Sequence, residues 1–331
     1  MRRIIREALW GAALLACVPG HAAEKSPSLK SSFLSLKAQT LASIDEEETR
    51  FQFIPQASWY ICRSKIGFIG RNSVPLPKLK ANRQGDCADF TGAVLEDYDL
   101  KGAALDGADL NHARLARVQL KGARLKWADV NYADLQRADL EAVAAEGARF
   151  VGALLDQANM YQAQLDDAAL VNASLERTNL KEASLAGADL RGARLIGTNF
   201  GKADLRSARF AGADMTGAGL AGADLRRADL TRAEVEGAGF QGADLREAHL
   251  YGVTLARVDF SGADLREANL TRCEFKSGKF EGANLEGAWL GGADLRKADL
   301  SDVSLKGAVY DYQTKLPFSP AEAKRRGMRR K

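Results

Sequence analysis

A large apolar residue occupies every fifth position of this chain, from Phe90 through Leu95, Leu100 and Leu105 to Leu300, Leu305 and Tyr310. About 45 consecutive pentads keep that frame without an insertion. Nearly every member is Leu, Phe, Met or Val, and Ala145 is the odd one. Ala usually stands two residues earlier; Val118, Val143, Thr178, Thr198, Val253, Val258, Cys273 and Gly278 are among its substitutes. Neither regular backbone buries such a set. On an α-helix five residues advance about 500° and scatter the leucines around the axis. On a straight strand they change face each time.

A pentad that is a short extended piece followed by a turn of about 90° does bury it. The large residue and the small one two before it then point to the same side. Four pentads close a square coil with every leucine inside, and successive coils stack at the inter-strand spacing of ~4.8 Å. The expected fold is thus all-β, a β-solenoid with 20 residues per coil. About 11 coils would make a rod of roughly 50 Å.

The other pentad positions fit. Phe240, Phe260 and Phe280 recur at that interval after Phe200 and Leu220, which predicts an interior aromatic column. The series Leu185, Leu205, Leu225, Leu245, Leu265, Leu285 and Leu305 predicts a leucine one. Gly is frequent two residues after the large residue (Gly187, Gly212, Gly237), where a tight corner calls for unusual φ. Asp or Asn just before it (Asp109, Asp189, Asp224, Asn269) can hydrogen-bond local backbone. Ala is a size limit, because the interior cannot hold two large groups per side. At Ala145 the neighbouring Val143 partly exchanges the volume.

These A(D/N)LxG units resemble the pentapeptide-repeat proteins over about two thirds of the chain. The resemblance implies a right-handed quadrilateral β-helix. GAVYDYQTKLPFSPAEAKRRGM (307–328) is similar to the segment that closes many such helices, with Tyr310 the last inward residue. A short helix should follow from Ser319, with Ser319 as N-cap and Pro320 at N1.

The first residues are of another kind. Arg2, Arg3 and Arg6 precede an apolar run, Ala8 to Val18, and a small-residue exit, Pro19 to Ala23. That is the layout of a secretory signal, and the run is too short to span a bilayer. Cleavage after Ala22 or Ala23 gives a soluble exported product, periplasmic or secreted. Alternatively Leu14–Leu15–Ala16–Cys17 resembles a lipobox, which would lipidate Cys17 and anchor the chain in the membrane. In an oxidising compartment Cys62 and Cys87 are expected to form a disulfide, while Cys273, inward in the frame, is expected to be a buried thiol. The domain reading is a signal peptide over 1–22, an N-terminal cap or irregular segment over 23–85, the β-helix over 86–312, and a C-terminal cap with basic tail over 313–331. A cap protects the open solenoid edge; a small ligand-binding or enzymatic module in 24–85 is the alternative.

Charge divides by region: about +6 over 1–80, about −7 over 81–310 and about +5 over 311–331. The stripe of a dedicated nucleic-acid binder is missing, so nucleic acid is not an expected partner. His112 and His249 are both outward and many coils apart, so they cannot share one metal or nucleophile. No cysteine–histidine set has zinc spacing and no phosphate loop precedes a helix. Catalytic residues, metals and cofactors are accordingly not expected.

Two outer features remain. Arg206, Arg226, Arg246 and Arg266 share one pentad position, with Asp204, Asp224, Asp244 and Asp264 two residues earlier. Stacked, they form parallel ladders of opposite charge: a self-neutralising solvated face, or a flat comb for an anionic, carbohydrate or protein partner. Arg114, Arg117, Lys121, Arg124 and Lys126 lie near Trp127 and Tyr132, a mix that suits nucleic acid or glycan, but their frame positions scatter them over three faces. The sequence therefore reads as an exported, non-catalytic binding or scaffold surface whose partner is a protein or an envelope polymer. Some family members mimic B-DNA and bind DNA gyrase, giving quinolone resistance; that alternative requires a cytoplasmic, markedly acidic rod.

Overall fold

The computed structural model describes residues 86–331. The residue before each inward apolar side chain pairs in parallel with its counterpart twenty positions on: Asp89 with Asp109, Val94 with Arg114, Asp99 with Gln119, Ala104 with Arg124. A pentad is therefore one wall, and four walls complete a lap. The signal peptide expected over 1–22, the lipidation expected at Cys17, Cys62 of the expected disulfide and the cap expected over 23–85 lie outside the described residues.

Backbone hydrogen bonding explains why the pentad has the letters it has. In the pentad around Leu95, Leu95 N–H donates to Arg114 C=O at 2.8 Å, and Arg114 N–H donates back to Ala93 C=O at 2.9 Å. Across the corner, Ala93 N–H donates to Phe90 C=O at 2.9 Å, closing a four-residue turn whose third residue, Gly92, has φ 66°. A positive φ there is the mark of a type II turn. Gly92 N–H reaches Asn111 C=O at 2.8 Å. One N–H per pentad is left over, and it must be satisfied. Thr91 N–H finds Asp89 Oδ1 at 3.0 Å, and the same contact recurs at Asn111–Asp109, Thr216–Asp214 and Thr231–Asp229. Asp or Asn before the leucine is thus a cap for the corner.

Corners do not require glycine. His112, Trp127, Tyr132, Arg177 and Glu247 hold φ of 55–60°, a conformation that costs a non-glycine residue roughly 1–2 kcal/mol. The wall bonds on both sides hold it in place.

Inside, Ala and Leu alternate in a continuous buried column set. The expected aromatic column is present: Phe240 and Phe260 stack at 4.8 Å and 16°, Phe260 and Phe280 at 5.4 Å and 26°. Cys273 is buried, donates from Sγ to Leu250 C=O at 2.9 Å, and has its thiol pushed up to about 12 by burial. Thr178 and Thr198 occupy the same inward site and donate to the carbonyls of Leu155 and Leu175 at 2.7 and 2.6 Å. A hydroxyl or thiol in place of Ala is therefore never left unpaired here.

The regular wall is interrupted near the C-terminal side. Two longer strands, β1 (Thr254–Asp259) and β2 (Glu274–Lys279), run through a corner and pair in parallel, with the register slipping so that Ala256 faces Ser277. The bridge that would join Glu234 to Thr254 is not formed, although Asp214–Glu234 and Thr254–Glu274 are. Val235 replaces Leu at this inward position while Val253 and Val258 replace Ala in the next coil. Bulk has moved between the columns.

The chain closes with β3 (Val309–Tyr310), helix α1 (Pro320–Arg325) and β4 (Arg329–Arg330). Ser319 caps α1 through its side chain, which accepts from Glu322 N–H at 3.3 Å, and Pro320 sits in its first turn. The basic end is not a loose appendage. Met328 is buried, and β4 pairs in parallel with β3, twenty residues back.

Candidate binding surface

On the wall that follows the Asp204 column, each Asp-Leu-Arg segment makes the same unit. Asp204 Oδ1 accepts from Arg206 N–H at 3.2 Å, and its two oxygens receive the guanidinium at 2.8 and 2.5 Å. The corner cap therefore also positions the arginine. Arg226 on Asp224, Arg246 on Asp244 and Arg266 on Asp264 repeat it at 2.6–2.7 Å. Three of the four arginines then reach toward the next aspartate: Arg206 to Asp224 at 3.8 Å, Arg226 to Asp244 at 3.6 Å, Arg246 to Asp264 at 3.7 Å. The eight residues singled out in the sequence form one zipper of alternating charge.

The zipper is neutralised from within. Hydrogen bonds donated to the aspartates hold Arg206, Arg226, Arg246 and Arg266 above the ordinary guanidinium value. The hydrogen bond from Arg206 holds Asp204 below the usual carboxylate range; burial pushes Asp244 up, but Arg246 outweighs it and holds it low. A bidentate pair presents little free charge, so the comb for an anion has its teeth occupied. The same Asp-Leu-Arg unit occurs on two other walls, at Asp189–Arg191 and Asp294–Arg296. It is a property of the corner rather than a mark of one face.

The second set does not form a patch. Arg114 pairs with Glu96, Arg117 with Asp97, Lys121 with Glu141, Arg124 with Asp106 and Lys126 with Glu146. Trp127 and Tyr132 lie flat on the wall over the corner glycines of the next coil. A Cβ on Gly147 would stand 2.1 Å from the indole, and one on Gly152 2.7 Å from the phenol. His112 stacks on Tyr132 at 5.3 Å and 10°. His249 sits in a different part of the wall, paired with Asp229 and Asn269. Among the described residues no three His, Cys, Asp or Glu side chains cluster as metal ligands would.

Two features escaped the sequence reading. A shallow groove of about 310 Å³ lies where the rung between Glu234 and Thr254 is split, lined by Thr216, Arg232, Glu234, Glu236 and Thr254. Its signal was the exchange of Val235 for Leu and Val253 for Ala. The other is the docking of the basic tail, whose charge was read in sequence but whose pairing onto the last coil through β4 was not. Its signal was Met328, which stands twenty residues after Ala308 and so resumes the frame.

Comparison with known proteins follows this geometry. The family model for pentapeptide repeats matches in eight copies: 88–131, 133–170, 158–195, 183–218, 193–232, 208–246, 238–276 and 279–309. HetL, a pentapeptide-repeat protein involved in heterocyst differentiation regulation in the cyanobacterium Nostoc sp. strain PCC 7120, is similar in structure. Its TM-score is 0.54 at 28% identity, covering 66% of this chain and 97% of HetL. QnrB1, a plasmid-mediated fluoroquinolone resistance protein, aligns at TM-score 0.37 and 19% identity, over 51% of this chain and 89% of its own. A pentapeptide-repeat protein of the Arabidopsis thaliana thylakoid lumen aligns at TM-score 0.16 and 31% identity, over 32% and 63%. No curated protein matches. The lap of twenty, the Ala–Asp–Leu corner chemistry and the eight matched segments make this chain a member of the pentapeptide-repeat family, with its right-handed β-helix.

Proposed function

We propose that this protein is an exported, non-catalytic display scaffold of the cell envelope, binding another protein or an envelope polymer through its outer walls. The observation that carries this reading is the filled interior. Ala and Leu columns are buried throughout the solenoid, so recognition falls to outward side chains, which the corners hold at a fixed rung spacing. About eleven coils would supply that surface, with residues 23–85 capping the first. A Cys62–Cys87 disulfide would tie that cap to the first corner, where Cys87 holds φ 58°. A B-DNA mimic would present uninterrupted negative charge; here the Asp column is interleaved with Arg, which favours the scaffold reading over gyrase binding.

Fractionation of cells producing the full chain tests this. The expected result is protein in the periplasmic or envelope fraction, of a size reduced by the leader. Protein of full size retained in the cytosol overturns it. Palmitate labelling that disappears in Cys17→Ala would convert the soluble form of the proposal into a lipoprotein.

A further inference from the structure

The walls and the C-terminal end treat their cations differently. Along the walls most exposed arginines are answered from a neighbouring coil or two residues away, as Arg117 is by Asp97, Arg227 by Glu247 and Arg257 by Glu236. Exposed ones without an ion pair among the described residues, such as Arg137, Arg177 and Arg232, are scattered over separate coils. At the end, Lys306, Lys324, Arg329, Arg330 and Lys331 are all exposed, and among the described residues none takes part in an ion pair. Arg329 donates to Gly307 C=O at 3.3 Å, and Lys331 Nζ lies 5.7 Å from the centre of the Trp289 ring. Residues 315–331 carry seven Lys and Arg against one acid. That acid, Glu322, is already engaged by Arg325 and Arg326.

These cations are held in place. α1 and the turn after it tuck Ala323 and Met328 into the core. Arg329 N–H donates to Ala308 C=O and Lys331 N–H to Tyr310 C=O, both at 2.8 Å. Tyr312, 80% exposed, and Trp289, 48% exposed, flank the same last coil.

We propose that this end docks end-on to a surface of anionic lipid headgroups. The distribution of charge favours a plane over a long polyanion. Residues 86–314 carry 36 acids against 27 Lys and Arg, so a duplex or polysaccharide lying along the walls would meet net negative charge. A plane touches only the end. Charge is screened over ~8 Å at physiological salt, which is under two coils at ~4.8 Å each, so the acidic walls are not felt. Exposed Tyr and Trp suit headgroup level, and clustered Lys and Arg suit anionic lipid. No described helix is long and apolar enough to cross a membrane; the contact is peripheral. The inference goes beyond the display reading and does not depend on where the chain resides.

Co-sedimentation of the full chain with vesicles tests it, using phosphatidylcholine alone and phosphatidylcholine with about 30 mol% phosphatidylglycerol. Binding is expected only to the anionic vesicles, and it should be lost at ~1 M salt. Replacing Lys306, Lys324, Arg330 and Lys331 by Gln should weaken partitioning at least about tenfold without altering the thermal unfolding midpoint. Arg329 is left intact because its side chain supports the last rung. Replacing Arg206, Arg226, Arg246 and Arg266 by Gln should leave binding unchanged. Equal binding to both vesicles, no binding to either, or undiminished binding by the end variant overturns the proposal. So does a DNA duplex bound under conditions where anionic vesicles are not, which would make nucleic acid the partner.

Discussion

Asp129 sits in the capping position, yet it caps nothing. The N–H it would serve, that of Asn131, donates instead to Asn111 Oδ1 at 3.0 Å, one coil back, and Asn131 Nδ2 takes the same oxygen at 2.9 Å. Asp129 Oδ1 is left buried without a hydrogen bond, 3.4 Å from Arg149 Nη1. Burial, with Asp109 adding to it, pushes the Asp129 carboxyl above its ordinary value despite Arg149. A carboxyl raised in the folded state binds its proton more tightly there than in the unfolded chain, so its ionisation works against folding above that range. Asp129→Asn should therefore raise the denaturation midpoint at pH 7. The gain should fade as pH drops and vanish only below about pH 3, where the carboxyl is protonated in both states. Urea melts at several pH values would show this; a variant less stable than the parent at pH 7 would refute it. The role of each pentad letter was legible in sequence because it depends on neighbours within five residues. Which oxygen serves Asn131 was not, because the choice lies between residues twenty apart.

Two neighbouring coils compensate each other in the column normally filled by Ala. Val258 adds methyl groups there, and Gly278, twenty residues on, removes one. A Cβ on Gly278 would stand 3.1 Å from Val258 Cγ2, 3.0 Å from Phe280 Cε2 and 3.2 Å from Val258 C=O. Gly278→Ala should thus overpack the site, at a cost of about 1–3 kcal/mol. Adding Val258→Ala should recover part of that cost, because it removes the clashing methyls while leaving the ring and carbonyl contacts. A double-mutant cycle by equilibrium denaturation reads the coupling; strictly additive effects would count against it. In sequence both residues were visible as substitutes at the small position, but their exchange of volume needs the lap of twenty to align them. The same alignment joins the Asp204 to Arg266 ladder. What could not be read is its closure: the arginines lie back on their own aspartates at 2.5–2.7 Å instead of extending outward. Nor could the split rung at Thr254, since Val143 also replaces Ala and Gln164 N–H still donates to its carbonyl at 2.8 Å.

Across the whole solenoid each coil touches only its neighbours, so stability is a sum of coil and interface contributions and loss should spread from a damaged end. The C-terminal end depends on one small contact. Ala323 is fully buried where α1 meets the last coil, and with Met328 it covers residues that would otherwise leave their edge exposed. Ala323→Asp places an unpaired charge in that contact, which the helix can escape only by undocking. Undocking removes the partners that Ala308 C=O and Tyr310 C=O have in β4. Hydrogen exchange should then rise steeply over residues 303–310 and fade toward the middle, leaving the coils around Phe200 and Phe210 as protected as in the parent. A uniform loss of protection from Leu95 to Leu305 would mean that the coils unfold as a single unit and that the end carries no separate share of the stability. Because the undocked edge is a row of unpaired strand groups, the variant should also self-associate with rising concentration. The parent, whose last rung is covered by β4 and α1, should not do so through this end.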